Sequence, residues 1–232
     1  MLYSRQEWDG KSDLRHTQLK KIDIEDLLPR NQIEVDLEAI GKIFTGKCIM
    51  ITGAAGSIGS EIVRQVASFK PSQMILIDQA ETPLHDIRLM MMHKFADIPA
   101  LTLTASISHK CHMEAVFKEY KPDYVFHAAA YKHVPMMEDN PGEAVVNNID
   151  GTRIIADLAV KYKTKKFVMV STDKAVNPTN VMGCSKRICE MYCQSLNKAI
   201  ADGVVKGCTQ FVTTRFGNVL GSNGSVIPIF KE

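Results

Sequence analysis

The stretch CIMITGAAGSIG, residues 48–59, determines the fold that we predict for this chain. Residues 48–52 form a short apolar run of strand length, which is typical of a strand buried on both faces of a parallel sheet. Three glycines follow, at Gly53, Gly56 and Gly59, and residues 57–69 then show the helical period. The stretch therefore predicts a buried strand, a tight glycine-rich turn and a helix.

Beyond this stretch, apolar runs of strand length alternate with longer helical patterns. The predicted strands cover residues 48–52, 73–78, 101–105, 124–127, 167–171 and 211–215. The helical patterns between them lie near 57–69, 83–95, 111–120, 142–162 and 181–201. This alternation is typical of a parallel sheet with helices on both faces, so we predict an α/β fold with a Rossmann-type doubly wound sheet.

The glycine-rich turn predicts a dinucleotide-binding site. Glycine is needed where the backbone turns tightly or approaches a pyrophosphate, and the helix that begins near Ser57 offers free N–H groups to the phosphates. The second predicted strand ends in Asp78, about 20 residues beyond the glycines, where a carboxylate accepts both ribose hydroxyls and repels a 2′-phosphate. These residues predict NAD rather than NADP; the alternative for Asp78 is a solvated strand end.

The chain contains two segments of different composition. Residues 1–45 are polar and charged, which predicts an N-terminal arm or linker, with Asp36 at the start of a short helix that ends near Ile43. Residues 46–232 carry the alternating pattern. We predict that this second segment is the NAD-binding domain and that it contains the catalytic loop.

Composition and charge exclude several classes of protein. Lys and Arg total 28 and Asp and Glu total 26, a net charge of +2, so no surface dedicated to nucleic acid is predicted. No apolar run approaches the length of a membrane span. The six cysteines form no Cys-x-x-Cys pair and follow no signal peptide, which favours reduced thiols in a cytoplasmic protein and gives no metal site.

Four longer motifs carry a resemblance to a known family. They are FHAAAYKHVP (126–135), NIDGT (148–152), VSTDKAVNPTNVMG (170–183) and RFGNVLGS (215–222). The glycine spacing resembles the extended short-chain dehydrogenase/reductase superfamily. Together with the four motifs it resembles the CapD-like polysaccharide-biosynthesis family, the nucleotide-sugar 4,6-dehydratases acting on UDP-N-acetylglucosamine. The resemblance runs from about residue 22 to the end of the chain.

The resemblance implies an NAD-dependent lyase that makes a 4-keto-6-deoxy sugar nucleotide for surface polysaccharide or glycan biosynthesis. It implies cofactor contacts at Gly53, Gly56, Ser57, Ile58, Gly59, Asp78, Ser106, Ile107, Ala128, Ala129, Ala130, Ser171 and Lys186. At Ser106, many superfamily members have an aspartate that contacts adenine. The implied substrate contacts are Lys132, His133, Asn218, Ser222 and Ser225. For His133, a packed loop histidine is nearly as good an interpretation.

The triplet Thr172, Asp173 and Lys174 follows a predicted buried strand, at the sheet edge where open α/β sheets bind ligands. By resemblance, Thr172 binds the C4 hydroxyl of the sugar, Asp173 is the acid at the C6 oxygen and Lys174 is the base at C5. We expect burial and the nearby cation Lys186 to favour the neutral form of Lys174. A surface ion pair is the alternative. Asn148 is predicted to tie the active-site strand to its helix.

Most short-chain dehydrogenases use a Tyr-x-x-x-Lys pair for acid–base chemistry. The literal match begins at Tyr162, but it precedes the strand at 167–171, so we interpret it as a solvated helix end. On the helix after that strand, the matching residues are Met182 and Lys186. Methionine carries no proton, and a methionine here resembles the large, typically membrane-anchored, C5-retaining branch of the dehydratases. A dead site is the alternative.

Two other functions stay open from the sequence. A nucleotide-sugar 4-epimerase shares the fold and the oxidation at C4, but it needs no acid at C6 and no base at C5. A non-catalytic NAD-binding regulatory protein would fit Met182 and a chain that stops at Glu232, soon after the sixth predicted strand. Members of the resembled family continue with a region that closes over the sugar, so we expect a truncated substrate site.

The predicted partner is a UDP-sugar, with no nucleic acid, and homo-oligomerisation is left open. The chain carries no predicted membrane segment, although full-length members of the resembled family are often membrane-anchored. We therefore expect a cytoplasmic protein, or one held on the cytoplasmic face of a membrane in a longer natural form.

Overall fold

The computed structural model describes residues 36–217, and it confirms the predicted α/β class. Its centre is a parallel sheet of six strands, all of which belong to the compact unit that begins at Glu38. The predicted NAD-binding domain thus contains a Rossmann-type sheet. The predicted division of the chain after residue 45 stays a prediction.

The helices and strands alternate along the chain. The strands are β1 (Cys48–Thr52), β2 (Gln73–Asp78), β3 (Ala100–Thr104), β4 (Tyr124–His127), β5 (Lys166–Thr172) and β6 (Gln210–Phe216). The helices are α1 (Leu37–Phe44), α2 (Ser57–Ser68), α3 (Glu81–Lys94), α4 (Lys110–Tyr120), α5 (Val134–Asp139), α6 (Pro141–Glu143), α7 (Gly151–Lys161) and α8 (Val181–Ala201). A π-helical segment (Ala144–Asp150) joins α6 to α7, and a 3₁₀ turn (Asp173–Ala175) follows β5.

The strand order is β3-β2-β1-β4-β5-β6, and each neighbouring pair is parallel. The chain runs outward from β1 to β3 and then returns to the other side of β1, where β4 begins the second half. The topological switch point therefore lies between β1 and β4. Ligands of open α/β sheets bind at the carboxyl ends of the strands at such a point.

The side chains of β1 alternate between two apolar cores, one on each face of the sheet. Met50 packs with Phe117 and Phe167 on the face covered by α4, α7 and α8. Ile49 and Ile51 belong to the other core, beneath α2 and α3. Because both faces are covered, β1 is apolar from Cys48 to Ile51, and this run identifies a central strand.

Strands β1, β2 and β4 have the predicted bounds, and the bounds of the other three differ by one residue at each end. The structure also contains two features that the sequence pattern did not predict. One is α5, and the other is the π-helical segment inside the helix predicted at 142–162. A π-helical turn keeps an apolar face much like that of an α-helix, so periodicity alone does not separate the two.

Candidate active site

Two glycines of the turn after β1 are required by its geometry. Gly53 has a φ of 70°, and a Cβ built on it would lie 2.5 Å from the Ala129 nitrogen. A Cβ on Gly59 would collide with the Gly53 carbonyl oxygen. A Cβ on Gly56, the N-cap residue of α2, would make only an ordinary contact. Gly53 and Gly59 therefore allow α2 to begin directly against the end of β1.

Asp78, at the end of β2, is tied to this turn. Its Oδ2 atom accepts a hydrogen bond from the Ala55 N–H group at 3.0 Å, and Oδ1 accepts one from the Ala80 N–H group at 3.0 Å. A carboxylate has about four acceptor sites, so two ribose hydroxyls find room beside these two donors. The side chain is therefore fixed in place, and it is not a freely solvated strand end.

A cleft of about 210 Å³ opens at the switch point. It is lined by Gly53, Ala55, Gly56, Ile77, Asp78, Gln79, Ala80, Pro83, Ala105, Ile107, Ala128, Ala129, Ala130 and Asn147. Seven of the predicted cofactor positions thus share one concave surface. The Ser106 hydroxyl is instead hydrogen-bonded to Ser108 Oγ at 2.8 Å, and the residues on either side of Ser106 face the cleft.

The other predicted cofactor positions surround the cleft lining. Ser57, Ile58 and Gly59 form the first turn of α2, whose free N–H groups lie next to the glycine-rich turn. Ser171 is buried at the carboxyl end of β5. The role of these residues in cofactor binding stays a prediction.

The Thr172, Asp173 and Lys174 side chains form a hydrogen-bonded group at the carboxyl edge of β5. Thr172 Oγ1 donates to Asp173 Oδ1 at 2.9 Å, and Lys174 Nζ reaches the same oxygen at 3.2 Å. Hydrogen bonds from Thr172 and then Lys174 lower the pKa of Asp173. The expectation of a buried Lys174 is wrong, because its side chain is 38% exposed and takes part in the ion pair considered as the alternative.

Helix α8 begins directly behind this group. Asn180 accepts a hydrogen bond from the Gly183 N–H group at 2.8 Å, and Glu138 of α5 accepts one from the Val181 N–H group at 2.7 Å. A Cβ on Gly183 would collide with the Lys174 carbonyl oxygen. Capping and close packing therefore fix the start of α8 against the 3₁₀ turn that follows β5.

Met182 and Lys186 are both buried on α8. Met182 packs with Met137 and Ala144 in a small apolar cluster. Burial lowers the pKa of Lys186, and within residues 36–217 its ammonium group makes no hydrogen bond and no ion pair. A buried amine without a protein acceptor is ready to bind a ligand hydroxyl.

His127 links the end of β1 to α7 from inside the protein. Its Nδ1 atom is 2.7 Å from Thr52 Oγ1, and its Nε2 atom is 2.9 Å from Thr152 Oγ1. Burial, together with the charge of Lys186, lowers the pKa of His127 to about 3. The neutral ring therefore holds the strand that enters the glycine-rich turn.

Asn148, in the π-helical segment, makes a different connection from the predicted one. Its side chain accepts from the Tyr131 N–H group at 2.8 Å and donates to the Tyr131 carbonyl oxygen at 3.1 Å. It also donates to Ser185 Oγ at 3.0 Å. Asn148 thus ties the loop after β4 to α8, and the prediction of a bridge from the active-site strand is corrected.

The predicted substrate-binding residues are only partly described. Lys132 and His133 are exposed on the loop after β4, on the same edge of the sheet as Asp173. Exposure excludes the alternative of a packed loop histidine at position 133. Asn218, Ser222 and Ser225 lie outside the described residues. The role of all five in substrate binding stays a prediction.

Tyr162 lies away from the site, as its position before β5 predicts. It follows the last turn of α7, and its hydroxyl is 3.5 Å from Glu114 of α4. The literal Tyr-x-x-x-Lys match therefore contributes nothing to the cleft.

Sequence reasoning missed Glu190, which is buried on α8 and paired with Arg187 and Arg215. A signal was present, because position 190 lies one turn after Lys186 on the helix face that the pattern turns inward. It also missed His127 as a structural link, although a polar residue that ends an apolar strand marks such a position. Gln79 and Asn147 also line the cleft, but neither belongs to a motif from which a cofactor contact could be predicted.

No group of three or more His, Cys, Asp or Glu side chains among residues 36–217 is arranged to hold a metal ion. No helix in that part of the chain is both long enough and apolar enough to span a membrane.

The chain belongs to the polysaccharide biosynthesis protein family, whose model matches residues 49–232. It is similar to the capsular polysaccharide biosynthesis protein CapD of Staphylococcus aureus, with 48% identity over 95% of this chain and 36% of that protein. The predicted family resemblance is therefore confirmed.

Other relatives carry two different activity names. A UDP-glucose 4-epimerase of Rickettsia typhi is 36% identical over 81% of this chain and 53% of its own length. A UDP-N-acetylglucosamine 4,6-dehydratase (inverting) of Campylobacter jejuni is 33% identical over 82% of this chain and 54% of its own length. The chain thus spans about a third to a half of the curated relatives that it matches.

Among solved structures, the chain is similar to Pen from Bacillus thuringiensis. The identity is 34%, the match covers 81% of this chain and 55% of that one, and the TM-score is 0.72. The fold described above is therefore shared with a protein of known structure over most of this chain.

Proposed function

We propose that this chain is the NAD-binding catalytic part of a nucleotide-sugar 4,6-dehydratase that acts on UDP-N-acetylglucosamine. The observation that carries this proposal is the hydrogen-bonded Thr172–Asp173–Lys174 group at the carboxyl edge of β5. A dehydratase needs an acid and a base beside an oxidised sugar carbon, and this group offers both on consecutive residues.

The residues around the cleft support the proposal of a bound dinucleotide. A Cβ would fill the space at Gly53 and Gly59, the Asp78 carboxylate retains free acceptor sites, and the buried Lys186 ammonium has no acceptor within residues 36–217. Glycines, an acid after the second strand and a helix N-terminus are the groups that hold a pyrophosphate and a ribose. When bound, NAD would accept a hydride from C4 of the sugar and return it to C6.

The chain's own residues move the protons. Thr172 binds the C4 hydroxyl, whose proton is released to solvent as hydride leaves C4. Lys174 takes the proton from C5 and returns one to C5 when hydride adds at C6. Asp173 donates a proton to the departing C6 oxygen, so that water leaves, and is reprotonated from solvent. These roles need a neutral lysine and a protonated aspartic acid, whereas the structure shows an ion pair at 3.2 Å. Closing the site to water disfavours separated charges, so transfer of one proton from Lys174 to Asp173 gives both residues the form they need.

Met182 takes no part in proton transfer, because a thioether neither donates nor accepts a proton in this chemistry. It fills the apolar cluster behind the loop after β4 and so supports the position of α8. Lys186 binds the cofactor ribose. On this proposal the acid–base chemistry lies on the loop after β5 and not on α8.

A nucleotide-sugar 4-epimerase is the second candidate, and the similarity to the Rickettsia protein favours it. An epimerase also oxidises C4, but it removes no proton from C5 and loses no oxygen from C6. The Asp173–Lys174 pair would then have no chemical role, which is why we prefer the dehydratase.

Mass spectrometry separates these functions. The full-length protein is incubated with NAD and UDP-N-acetylglucosamine, and the mass of the sugar nucleotide is followed. Dehydration lowers that mass by about 18 units, one water lost in the acid–base step. An isomer of unchanged mass would support the epimerase, and NAD binding without any product would support the non-catalytic regulatory protein.

A further inference from the structure

Glu190, on α8, is the one buried acidic side chain among residues 36–217, and its side chain has no exposed surface. It lies one helical turn after Lys186. None of the proton transfers proposed above involves it. Because a buried carboxylate is costly unless it is paired and hydrogen-bonded, its partners must account for its position.

Two arginines hold the Glu190 carboxylate. Arg215, at the end of β6, donates from Nε to Oε1 at 2.8 Å and from a terminal guanidinium nitrogen to Oε2 at 2.6 Å. Arg187, on α8, donates to Oε2 at 3.1 Å. Burial raises the pKa of Glu190, but Arg215, the adjacent Ser171 hydroxyl and Arg187 lower it to about 2, so the group is charged at neutral pH.

Arg215 connects this ion pair to the loop after β5. In the register of β5 and β6, Arg215 lies beside Ser171, whose buried hydroxyl has no hydrogen bond of good geometry. Two residues further along the chain, a Cβ on Gly217 would lie 3.9 Å from Asp173 Oδ2. Thr172 and Phe216 are also neighbours in the strand register, so the backbone that leaves β6 runs beside the acid of the proposed acid–base pair.

Helix α8 is thus attached to the site at two points. Gly183 packs against the Lys174 carbonyl oxygen at the start of the helix, and Glu190 holds Arg215 two turns later. The loop after β5 and the backbone after β6 are both fixed relative to this one helix.

Stability alone is a poor explanation for such a pair. Desolvation offsets most of the attraction between buried charges, and an apolar side chain of similar volume often serves as well. A bidentate arginine–carboxylate pair additionally fixes a distance and an angle, because its two parallel hydrogen bonds are lost together on a small displacement.

We propose that Glu190 is a positioning residue, which through Arg215 holds the end of β6 against the Thr172–Lys174 loop and so places Asp173 at the reacting sugar carbon. This inference rests on the proposed function. A misplacement of about 1 Å at a reacting group lowers turnover on the order of 100-fold. None of the residues that line the cofactor cleft is a hydrogen-bond partner of Glu190, but its charge acts on Lys186, which we place at the ribose. The effect on turnover is therefore compared at saturating NAD.

Four variants of the full-length protein test the proposal. Glu190→Gln keeps the size of the side chain and removes its charge, and Glu190→Met fills the same space with an apolar group. Arg215→Lys keeps the charge but loses the bidentate geometry, and Arg215→Gln loses both. Glu61→Gln is the matched control, because it removes an exposed ion pair with Arg64 on α2.

For each variant, kcat and KM with UDP-N-acetylglucosamine, NAD affinity and the thermal midpoint are measured. We expect Glu190→Gln, Glu190→Met and Arg215→Gln to lower kcat by about 10- to 100-fold at saturating NAD, with KM for the sugar nucleotide nearly unchanged. Arg215→Lys should recover part of the loss relative to Arg215→Gln, and the control should match the wild type.

Two results would overturn the proposal. One is a folded Glu190→Gln protein that binds NAD and turns over at the wild-type rate. The other is a loss of kcat that merely follows the thermal midpoint across the set. Arg215 is 40% exposed, so its variants should fold and give an answer even if those at Glu190 do not.

Hydrogen exchange on the NAD-saturated protein separates this proposal from the proposed function. Faster amide exchange at residues 172–176 in Glu190→Gln, with unchanged exchange in β1, supports the positioning role whatever the substrate proves to be. Unchanged exchange at residues 172–176 would contradict it. A wild-type protein that never dehydrates UDP-N-acetylglucosamine contradicts only the proposed function.

Discussion

The Asp78 carboxylate accepts a hydrogen bond from the Ala55 N–H group at 3.0 Å, which joins the end of β2 to the glycine-rich turn. One side chain thus shapes the turn and faces the cleft in which we place the ribose. We predict that Asp78→Ala weakens NAD binding by about 10- to 100-fold, since a hydrogen bond to a charged group contributes about 1.5–3 kcal/mol.

The same substitution should narrow the preference for NAD over NADP, because the carboxylate no longer repels a 2′-phosphate. Titration of both cofactors into the wild type and the variant measures each affinity. Wild-type protein that binds NADP as tightly as NAD would show that Asp78 does not face the ribose.

Gly53 should tolerate no side chain. Its φ of 70° and the 2.5 Å separation between a built Cβ and the Ala129 nitrogen predict that Gly53→Ala destabilises the fold by about 1–3 kcal/mol and abolishes NAD binding. Gly142 is the matched control, because a Cβ there meets nothing within 4 Å. Denaturant unfolding and NAD titration of both variants check the expectation, which fails if Gly53→Ala binds NAD normally.

Met182 and Lys186 should differ in importance, although both are buried on α8. Met182→Ala opens a cavity in a small apolar cluster. We expect it to lower the stability of the fold while changing the catalytic rate little. Lys186→Ala removes the buried ammonium from the predicted ribose site and should cost far more activity. Steady-state rates at saturating NAD compare the two, and equal loss in both would show that Met182 has a role that we have not assigned.

His127 makes stability depend on pH. Its folded-state pKa of about 3 lies below the unfolded value of 6.5, so the unfolded chain binds its proton first as pH falls. The stabilisation is complete above pH 6.5 and is lost between pH 6.5 and 3, by roughly 1.4 kcal/mol per pH unit. Carboxylates with a lowered pKa, such as Glu190, give the wild type and His127→Gln a common slope at the acid end of this range. Denaturant unfolding should therefore show a steeper fall in the wild type, and parallel curves would contradict a buried neutral His127.

The sheet could be predicted from the sequence because its signals are local. Strand β1 is apolar from Cys48 to Ile51 since both of its faces are covered, and Asp78 ends β2 where the apolar run ends. The glycine spacing is likewise a local signal, because a side chain at Gly53 or Gly59 would collide with the backbone around the turn.

Pairings between distant segments could not be predicted. Glu190 meets Arg215 only because α8 packs on β6, and Asn148 meets Tyr131 through an unpredicted π-helical segment. The role of Lys174 as a base predicts a buried side chain, but the backbone turns into a 3₁₀ helix after β5 and the side chain stays partly exposed beside Asp173.

Asp173 and Lys174 are proposed above to serve as acid and base for the loss of water. The most direct measurement follows UDP-N-acetylglucosamine in heavy water with wild-type, Lys174→Ala and Asp173→Asn protein, and weighs the product after its return to ordinary water. The wild type should lose about 18 mass units and gain about one from a deuteron at C5.

Lys174→Ala should show neither change, since no base removes the C5 proton. Asp173→Asn should incorporate deuterium at C5, because that proton transfer is reversible, yet lose water about 10²- to 10⁴-fold more slowly. Near-normal dehydration by both variants would contradict the claim and leave the Thr172–Lys174 group as a structural turn.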